Sequence, residues 1–525
     1  MKVKAALIVD DLSLAEWQRR ALDDASEFLD IKLVLNCRNT HSKKRLFKHF
    51  AYYVLNVLAL RNDLTRRVDV GLPSARTISF DSIYKGMWQS LPADVAKTVE
   101  EQGIKLVIKF GMSLLRIDDA LARLDILSFH HGDPAHYRGR PAGFYEVYDY
   151  ADRIGIIVQK LSNTLDAGEI LVRVHSKIHH HSYRKTASNF YRNSRPLLRK
   201  AIVSYLSGDR VALEKPGPNY RLPGNWVVLK FLAKLVYRNI SRLIYGALFE
   251  KKWNIVRTGF SGLNALANIS VAGGAIPKIA NGYTFYADPF FSTDGSSIRV
   301  EALNARNGLG EIVELGSRDL NLRSVLFAGA HYSYPYPFEE GGEEYILPEV
   351  ASHSAPYLAG ASPNTAKKTA LAGLEDKRLV DSSLIKHDGV YYLFAGYIES
   401  AAGSLYLYTS EQLSGPYVAH PRNPIVIDPK SARMAGRIYR ADGRMYRFGQ
   451  NNCFGYGSEL TVSEIVTLSK DSYVEKNVGV IAFKDARGPH ALDIHRDLAV
   501  LDFYVDRFSI LAGYRRFVAR LAGSS

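Results

Sequence analysis

The chain has 525 residues, 47% hydrophobic and 23% charged, a balance that excludes disordered and fibrous classes and a length too great for one ordinary core. Two cysteines, Cys37 and Cys453, lie too far apart for a metal or disulfide pattern, which fits a reducing compartment. The net charge of +15 is concentrated: residues 171–252 carry 17 Lys/Arg against 3 Asp/Glu, which points to an anionic surface, either phospholipid headgroups or nucleic acid.

The apolar run in residues 1–11 is too short for a signal sequence and reads as a first strand, so a cytoplasmic location is expected. Through residue 175, apolar runs alternate with amphipathic stretches. Residues 4–9, 31–35, 106–110, 126–130 and 154–160 read as strands and 14–28 as a helix. This alternation predicts a doubly wound α/β sheet with mostly parallel strands. Ligands bind such sheets outside the carboxyl ends of the strands, where His130 falls. No Gly-x-Gly-x-x-Gly follows the first strand, so a dinucleotide is not expected.

Residues 176–252 read as a basic helical connector, broken by Pro216-Gly217-Pro218 and Pro223-Gly224. Beyond these breaks Val228, Leu232, Leu235, Asn239, Leu243 and Ala247 step by three or four. Lys230, Lys234, Arg238 and Arg242 run along another face, which predicts a basic amphipathic helix. Its charges recur too often for a membrane span of about 20 apolar residues. Two uses stay open: peripheral membrane contact through 226–250, or a linker helix between domains. Nucleic acid is disfavoured because no base-stacking platform is evident.

From residue 253 the texture changes to short alternating runs rich in aromatics. Asp294-Gly295, Gly341-Gly342, Asp388-Gly389 and Asp442-Gly443 mark turns, with a fifth at His495-Arg496-Asp497. Their spacing, near fifty residues, predicts an all-β five-bladed propeller over 253–510, followed by a basic tail at 511–525.

Two resemblances attach chemistry to this frame. Ser128-Phe129-His130-His131-Gly132 is followed by Arg138-Gly139 and then by Leu165-Asp166-Ala167-Gly168. This order and spacing resemble the N-terminal catalytic domain of the folate-dependent formyltransferases, whose pattern is Asn-x-His, an Arg-Gly pair and an Asp in a Leu-Asp-x-Gly turn. Ser128 stands at the Asn position. The resemblance implies a formyltransferase-like domain over 1–175, with 10-formyltetrahydrofolate as formyl donor and an amine as acceptor. It implies His130 as proton shuttle, Asp166 as its orienting partner, and Ser128 or His131 as oxyanion donor. Arg138 and Arg140 would bind a substrate phosphate or brace the loop.

Further on, Tyr286-Ala287-Asp288-Pro289-Phe290, His331-Tyr332-Ser333, Leu347-Pro348-Glu349, Val380-Asp381-Ser382, Ala432-Arg433-Met434 and Tyr446-Arg447-Phe448 resemble a second pair of families. These are glycoside hydrolase family 43 and, more closely, the N-terminal domain of the plant glucosamine inositolphosphorylceramide transferases. Asp288, Glu349 and Asp381 are expected to point into the central funnel, where inverting hydrolysis needs an acid and a base about 6.5–9.5 Å apart. His331, Arg433 and Arg447 would add contacts to a sugar. Hydrolysis, glycan binding and a pure scaffold all remain open, and no metal is expected.

Together these readings predict a formyltransferase acting on an amino sugar or sugar nucleotide for cell-surface glycan synthesis, cytoplasmic, with peripheral contact at the inner face of the membrane. The alternative is a glycan-binding or glycan-hydrolysing propeller protein whose formyltransferase-like domain is inactive.

Overall fold

Apolar stretches of strand length, spaced by helices, build the first part of the chain. In order it runs β1 (Val3–Asp10), α1 (Glu16–Ala25), β2 (Leu29–Cys37), α2 (Leu46–Leu60), β3 (Arg76–Phe80), α3 (Ala93–Glu101), β4 (Leu106–Lys109) and β5 (Asp125–His130). It continues with α4 (Phe144–Asp149), β6 (Arg153–Lys160), β7 (Glu169–Lys177), α5 (Tyr183–Ser194), α6 (Leu197–Ser207) and α7 (Asn225–Leu248). The computed structural model describes residues 2–39, 46–166, 168–212, 215–350, 355–361 and 368–522; the end of the expected basic tail lies outside them. The chain divides into two units, Met1–Asn239 and Ile240–Ser525.

In the first unit the strands lie in the order β7-β6-β5-β4-β1-β2-β3. β1 to β5 are mutually parallel, and β6 and β7 are added antiparallel. On one face Val95, Ala96 and Val99 of α3 pack against Ala6, Ile8, Leu33, Leu35 and Val107. On the other, α1, α5 and α6 pack together over β6 and β7. Both faces are therefore covered, as a parallel sheet requires, and the doubly wound α/β class is the observed one. The loop after β4 crosses the end of β1 so closely that a Cβ on Gly111 would lie 2.5 Å from the Asp10 carboxylate.

The second unit is a five-bladed propeller. Blade 1 comprises Tyr283–Phe291, Ser297–Asn304, Gly310–Gly316 and Leu322–Phe327, and blade 2 comprises Tyr332–Glu340, Glu343–Val350, Tyr357–Gly360 and Lys368–Ala370. Blade 3 begins with Leu379–His387, Val390–Tyr397 and Ser404–Ser410, and blade 4 is built on Arg444–Gln450, Leu460–Leu468 and Tyr473–Ile481. Blade 5 joins Leu492–His495 and Leu498–Phe508 to Phe249–Gly259, which pairs with Leu498–Phe508 without a bulge. All five expected turns sit between paired strands of a blade. Asp388-Gly389 and Asp442-Gly443 have positive φ at both residues, the twist that two-residue hairpins favour.

The inner strands of blades 1 to 3 share a device. Each shifts register at a bulge, and Asp288, Tyr334 and Asp381 in these bulges have φ of 48°, 47° and 48°. A bulge re-aims the side chain it carries, which sets these three residues apart from their strand neighbours.

The region read as a connector is divided between the two units. α5 and α6 pack in the first, and α7 runs from the first into the second, where residues 512–522 of the expected tail are helical. α7 also presents a different face from the expected one. Val228 and Phe231 are buried, Phe231 stacks on Phe144, and Lys234 and Arg238 donate to the carbonyls of Tyr148 and Val147. The helix is apolar on two sides, so periodicity alone did not show which side packs. Among the described residues no helix is long and apolar enough to cross a membrane.

Candidate functional site

At the carboxyl ends of the parallel strands of the first unit, register places three chemically active side chains on one sheet face. Lys109 of β4 is the cross-strand partner of Ser128 of β5, and His130 follows two residues on. His130 Nδ1 lies 3.4 Å from Asp166 Oδ1. Asp166 sits in the turn before β7 with φ of 50°, and its other oxygen accepts from Gly139 N at 2.8 Å. Gln159 Oε1 accepts from Gly168 N at 2.8 Å and so holds the far side of that turn. The second imidazole nitrogen, Nε2, is 3.1 Å from the Tyr137 carbonyl.

Lys109 was not anticipated, although a lysine closing an otherwise apolar strand beside Ser128 was a visible signal. Burial pushes its ammonium down to about 8, partly offset by the carboxylates of Asp10 and Asp166. Among the described residues none forms a hydrogen bond or ion pair with it. Asp10, at the end of β1, accepts from Met112 N at 2.9 Å, and burial raises its carboxyl. Ser128 is buried, its hydroxyl 3.5 Å from the Phe129 carbonyl.

One expected role in this unit is corrected. His131 is not a free donor: it packs among Trp17, Phe190 and Tyr191, and its Nε2 is 2.8 Å from Ser194 Oγ. Burial pushes it down to about 3, which keeps it neutral. Arg138 braces the loop, donating to the carbonyls of Gly217 at 2.7 Å and Leu165 at 3.3 Å. Arg140 and Arg138 line a small, solvent-open cleft together with Tyr137, Tyr145, Glu146 and Tyr220.

In the propeller the expected carboxylates converge. Asp288 Oδ2 accepts from Tyr334 N at 3.3 Å, and Glu349 Oε2 accepts from Asp381 N at 2.9 Å. Arg433 pairs with Asp381 and lies over the Tyr456 ring. Burial and the charges of Asp381 and Asp288 raise Glu349 to about 8 against the pull of Arg433. His331 accepts from Gly310 N at 2.8 Å and lies 3.7 Å from Glu301. Arg447 is corrected: it is wholly buried, paired with Glu475 at 2.6 Å and donating to Ser431 O, so it braces blade 4 and does not face a sugar.

The centre of this group was not legible. His490 is clamped between Asp502 (Nδ1–Oδ2 2.6 Å) and Asp288 (Nε2–Oδ1 3.1 Å). Asp502 also accepts from the backbone of His490 and Ala491 at 2.8 and 3.0 Å, while Trp253 and Tyr456 close over the imidazole. The three residues bring ligand-type atoms within 4.8 Å of one another. Both ring nitrogens lie at ion-pair distance from carboxylates, and because Nδ1 meets Asp502 without hydrogen-bond alignment, it is charge attraction to a protonated ring that defines the arrangement. Burial alone would lower His490, but Asp502 and Asp288 outweigh it and hold the imidazole up to about 10.

A pH dependence follows. A raised histidine contributes stability that is complete below its ordinary value of 6.5 and is lost as pH rises through about 10. Glu349 acts in the same direction between 4.5 and about 8, because the folded state holds its proton longer. The melting temperature of the propeller is expected to fall steadily from pH 6 to pH 10, as calorimetry would show; a flat profile would contradict the clamp.

A doubly wound α/β unit with a His–Asp pair at its strand ends thus precedes a five-bladed propeller with an acidic axis. Residues 251–504 match the family described as glucosamine inositolphosphorylceramide transferase 1, N-terminal. Glucosamine inositolphosphorylceramide transferase 1 of Oryza sativa subsp. japonica is 32% identical over 219 residues, 39% of this chain and 29% of the relative. Its namesake in Arabidopsis thaliana is 30% identical over 209 residues, 37% of this chain and 27% of that protein. The chain therefore spans less than a third of the length of these curated relatives. Among solved structures, a sugar N-formyltransferase from Shewanella sp FDAARGOS_354 aligns at 10% identity with a TM-score of 0.28, over 44% of this chain and 87% of that one. An exo-beta-1,3-galactanase from Phanerochaete chrysosporium aligns at 14% with a TM-score of 0.30, over 41% and 54%.

Proposed function

We propose that the first unit transfers a formyl group from 10-formyltetrahydrofolate to the amine of an amino sugar or sugar nucleotide. The observation that carries this reading is the His130–Asp166 pair standing beside Lys109 and Ser128 at the strand ends. This donor set fits the reacting end of such a donor: an imidazole to move a proton, and an ammonium and a hydroxyl for a developing anion. When bound, 10-formyltetrahydrofolate supplies an activated formyl carbon. The acceptor nitrogen bonds to that carbon, the carbon–nitrogen bond to the donor breaks, and one proton passes from acceptor to donor nitrogen.

His130 moves that proton, with Asp166 fixing the ring from the Nδ1 side. For Nε2 to serve, its contact with the Tyr137 carbonyl exchanges for the acceptor amine. Lys109 donates to the formyl oxygen as negative charge grows there, the task for which Ser128 alone is short. A charged donor in a half-buried crevice is worth more than a neutral one.

Lys109→Met is therefore expected to lower turnover by about 10²–10³-fold, the usual effect of losing one such donor. Wild-type turnover should also decline above about pH 8, where Lys109 loses its proton. Incubation with 10-formyltetrahydrofolate and a panel of amino-sugar nucleotides, read by mass as gain of one formyl group, tests the proposal. No gain with any acceptor would defeat it.

One observation favours the second reading, a glycan-binding or glycan-hydrolysing propeller beside an inactive α/β unit: both nitrogens of His130 are engaged by the protein itself. Release of free sugar, or glycan binding lost in Arg433→Ala, with no formyl transfer, would support it.

A further inference from the structure

We propose that the first unit docks on an anionic phospholipid surface through the outward faces of α2 and of residues 225–239 of α7. This goes beyond the transfer reading and does not rest on it.

Each helix leaves an apolar stripe in solvent. On α2, which kinks at His49, Phe50, Val54, Val57 and Leu58 recur at the three- and four-residue steps of one helical face, with Leu58 69% exposed, and Phe47 stands 96% exposed just before the kink. On α7, Trp226, Leu229, Val236 and Tyr237 share one face by the same spacing, Trp226 being 67% and Tyr237 73% exposed. Isolated exposed apolar residues are ordinary, but two aligned stripes are not.

The two stripes start side by side. Asn225 donates to the Phe47 carbonyl at 2.8 Å and accepts from Ala51 N at 3.0 Å, and His49 Nδ1 is 2.9 Å from the Pro223 carbonyl. The opposite side of α7 is committed to the unit. Phe231 stacks on Phe144, and Lys234 and Arg238 are tied to the carbonyls of Tyr148 and Val147. The helix is thus apolar on both sides: Val228 and Phe231 face protein, and a second apolar stripe faces solvent. Neither helix contains an acidic residue, and Lys48 and Lys230 lie exposed along the stripes. Apolar side chains framed by cations, with tryptophan and tyrosine among them, suit a headgroup layer over acyl chains. A second copy of this surface would instead bring cation against cation.

The full chain should therefore co-sediment with phosphatidylcholine vesicles containing phosphatidylglycerol, and less with phosphatidylcholine alone. Phe47→Glu combined with Trp226→Glu should weaken binding by at least about tenfold. Lys48→Ser and Lys230→Ser should each weaken it about fivefold, on the anionic vesicles only. Should the glutamate variant lose fold as judged by its melting temperature, the native chain still decides the matter. Brominated acyl chains should quench its fluorescence, and Trp226→Phe should abolish most of that quenching. Absence of vesicle binding, binding unchanged in the folded glutamate variant, or quenching unaffected by Trp226→Phe would overturn the proposal. So would light scattering that shows a dimer which Phe47→Glu splits, with no affinity for vesicles.

Discussion

His130→Ala is expected to cut formylation of the amino-sugar acceptor by about 10²–10⁴-fold, the range that loss of a positioned acid–base group produces. The side chain is buried at the end of β5 and touches Asp166 and the Tyr137 carbonyl. Its removal leaves the Asp166 carboxylate still satisfied by Gly139 N, so the fold should survive. Asp166→Asn should be gentler on the fold and nearly as harmful to turnover, because the amide no longer restrains the Nδ1 proton. Acceptor KM should stay within a few-fold in both variants if the pair acts on the proton rather than on binding. Turnover by His130→Ala within a few-fold of wild type would remove His130 from the chemistry.

The largest stability effect is expected at the propeller axis. Asp502→Asn keeps the shape of the side chain but turns an amide N–H2 toward groups that already donate: His490 Nδ1 and the Asp288 N–H at one oxygen position, or the backbone N–H groups of His490 and Ala491 at the other. Breaking one partner of a buried charged set costs about 3–5 kcal/mol. A loss of that size in a domain of this length lowers the melting temperature by of order 10 °C. Melting of Asp502→Asn within a degree or two of wild type would show that the clamp contributes little.

The legible parts of the sequence were those with a local physical signature. The blade count followed from Asp-Gly and Gly-Gly turns, whose backbone demands specific residues, and the parallel sheet from buried runs such as Leu106–Lys109 and Asp125–His130. His130 and Asp166 were legible as a pair through family spacing, and their side chains do meet. Residues assembled by long-range closure were not. His490 and Asp502 meet Asp288 across some two hundred positions, and neither stands in a recognisable motif. Tyr334 occupies in blade 2 the bulge that Asp288 and Asp381 occupy in their blades, yet nothing local marks a bulge at a tyrosine. Arg447 looked like a site residue because it stands inside a motif; its pairing with Glu475 on another strand of the same blade is a tertiary fact. The same holds for α2, whose exposed stripe alternates with buried Tyr52, Leu55 and Ala59.

Phe249–Gly259 finds its partner, Leu498–Phe508, only after about 240 further residues have been made. At bacterial or eukaryotic synthesis rates that interval is roughly ten seconds to most of a minute. During it the ring stands open on the ribosome, with the unzipped edge of one early strand offered to any extended chain nearby. A nascent-chain chaperone, or slow translation that spaces neighbouring ribosomes apart, would therefore govern yield more than the stability of the finished ring.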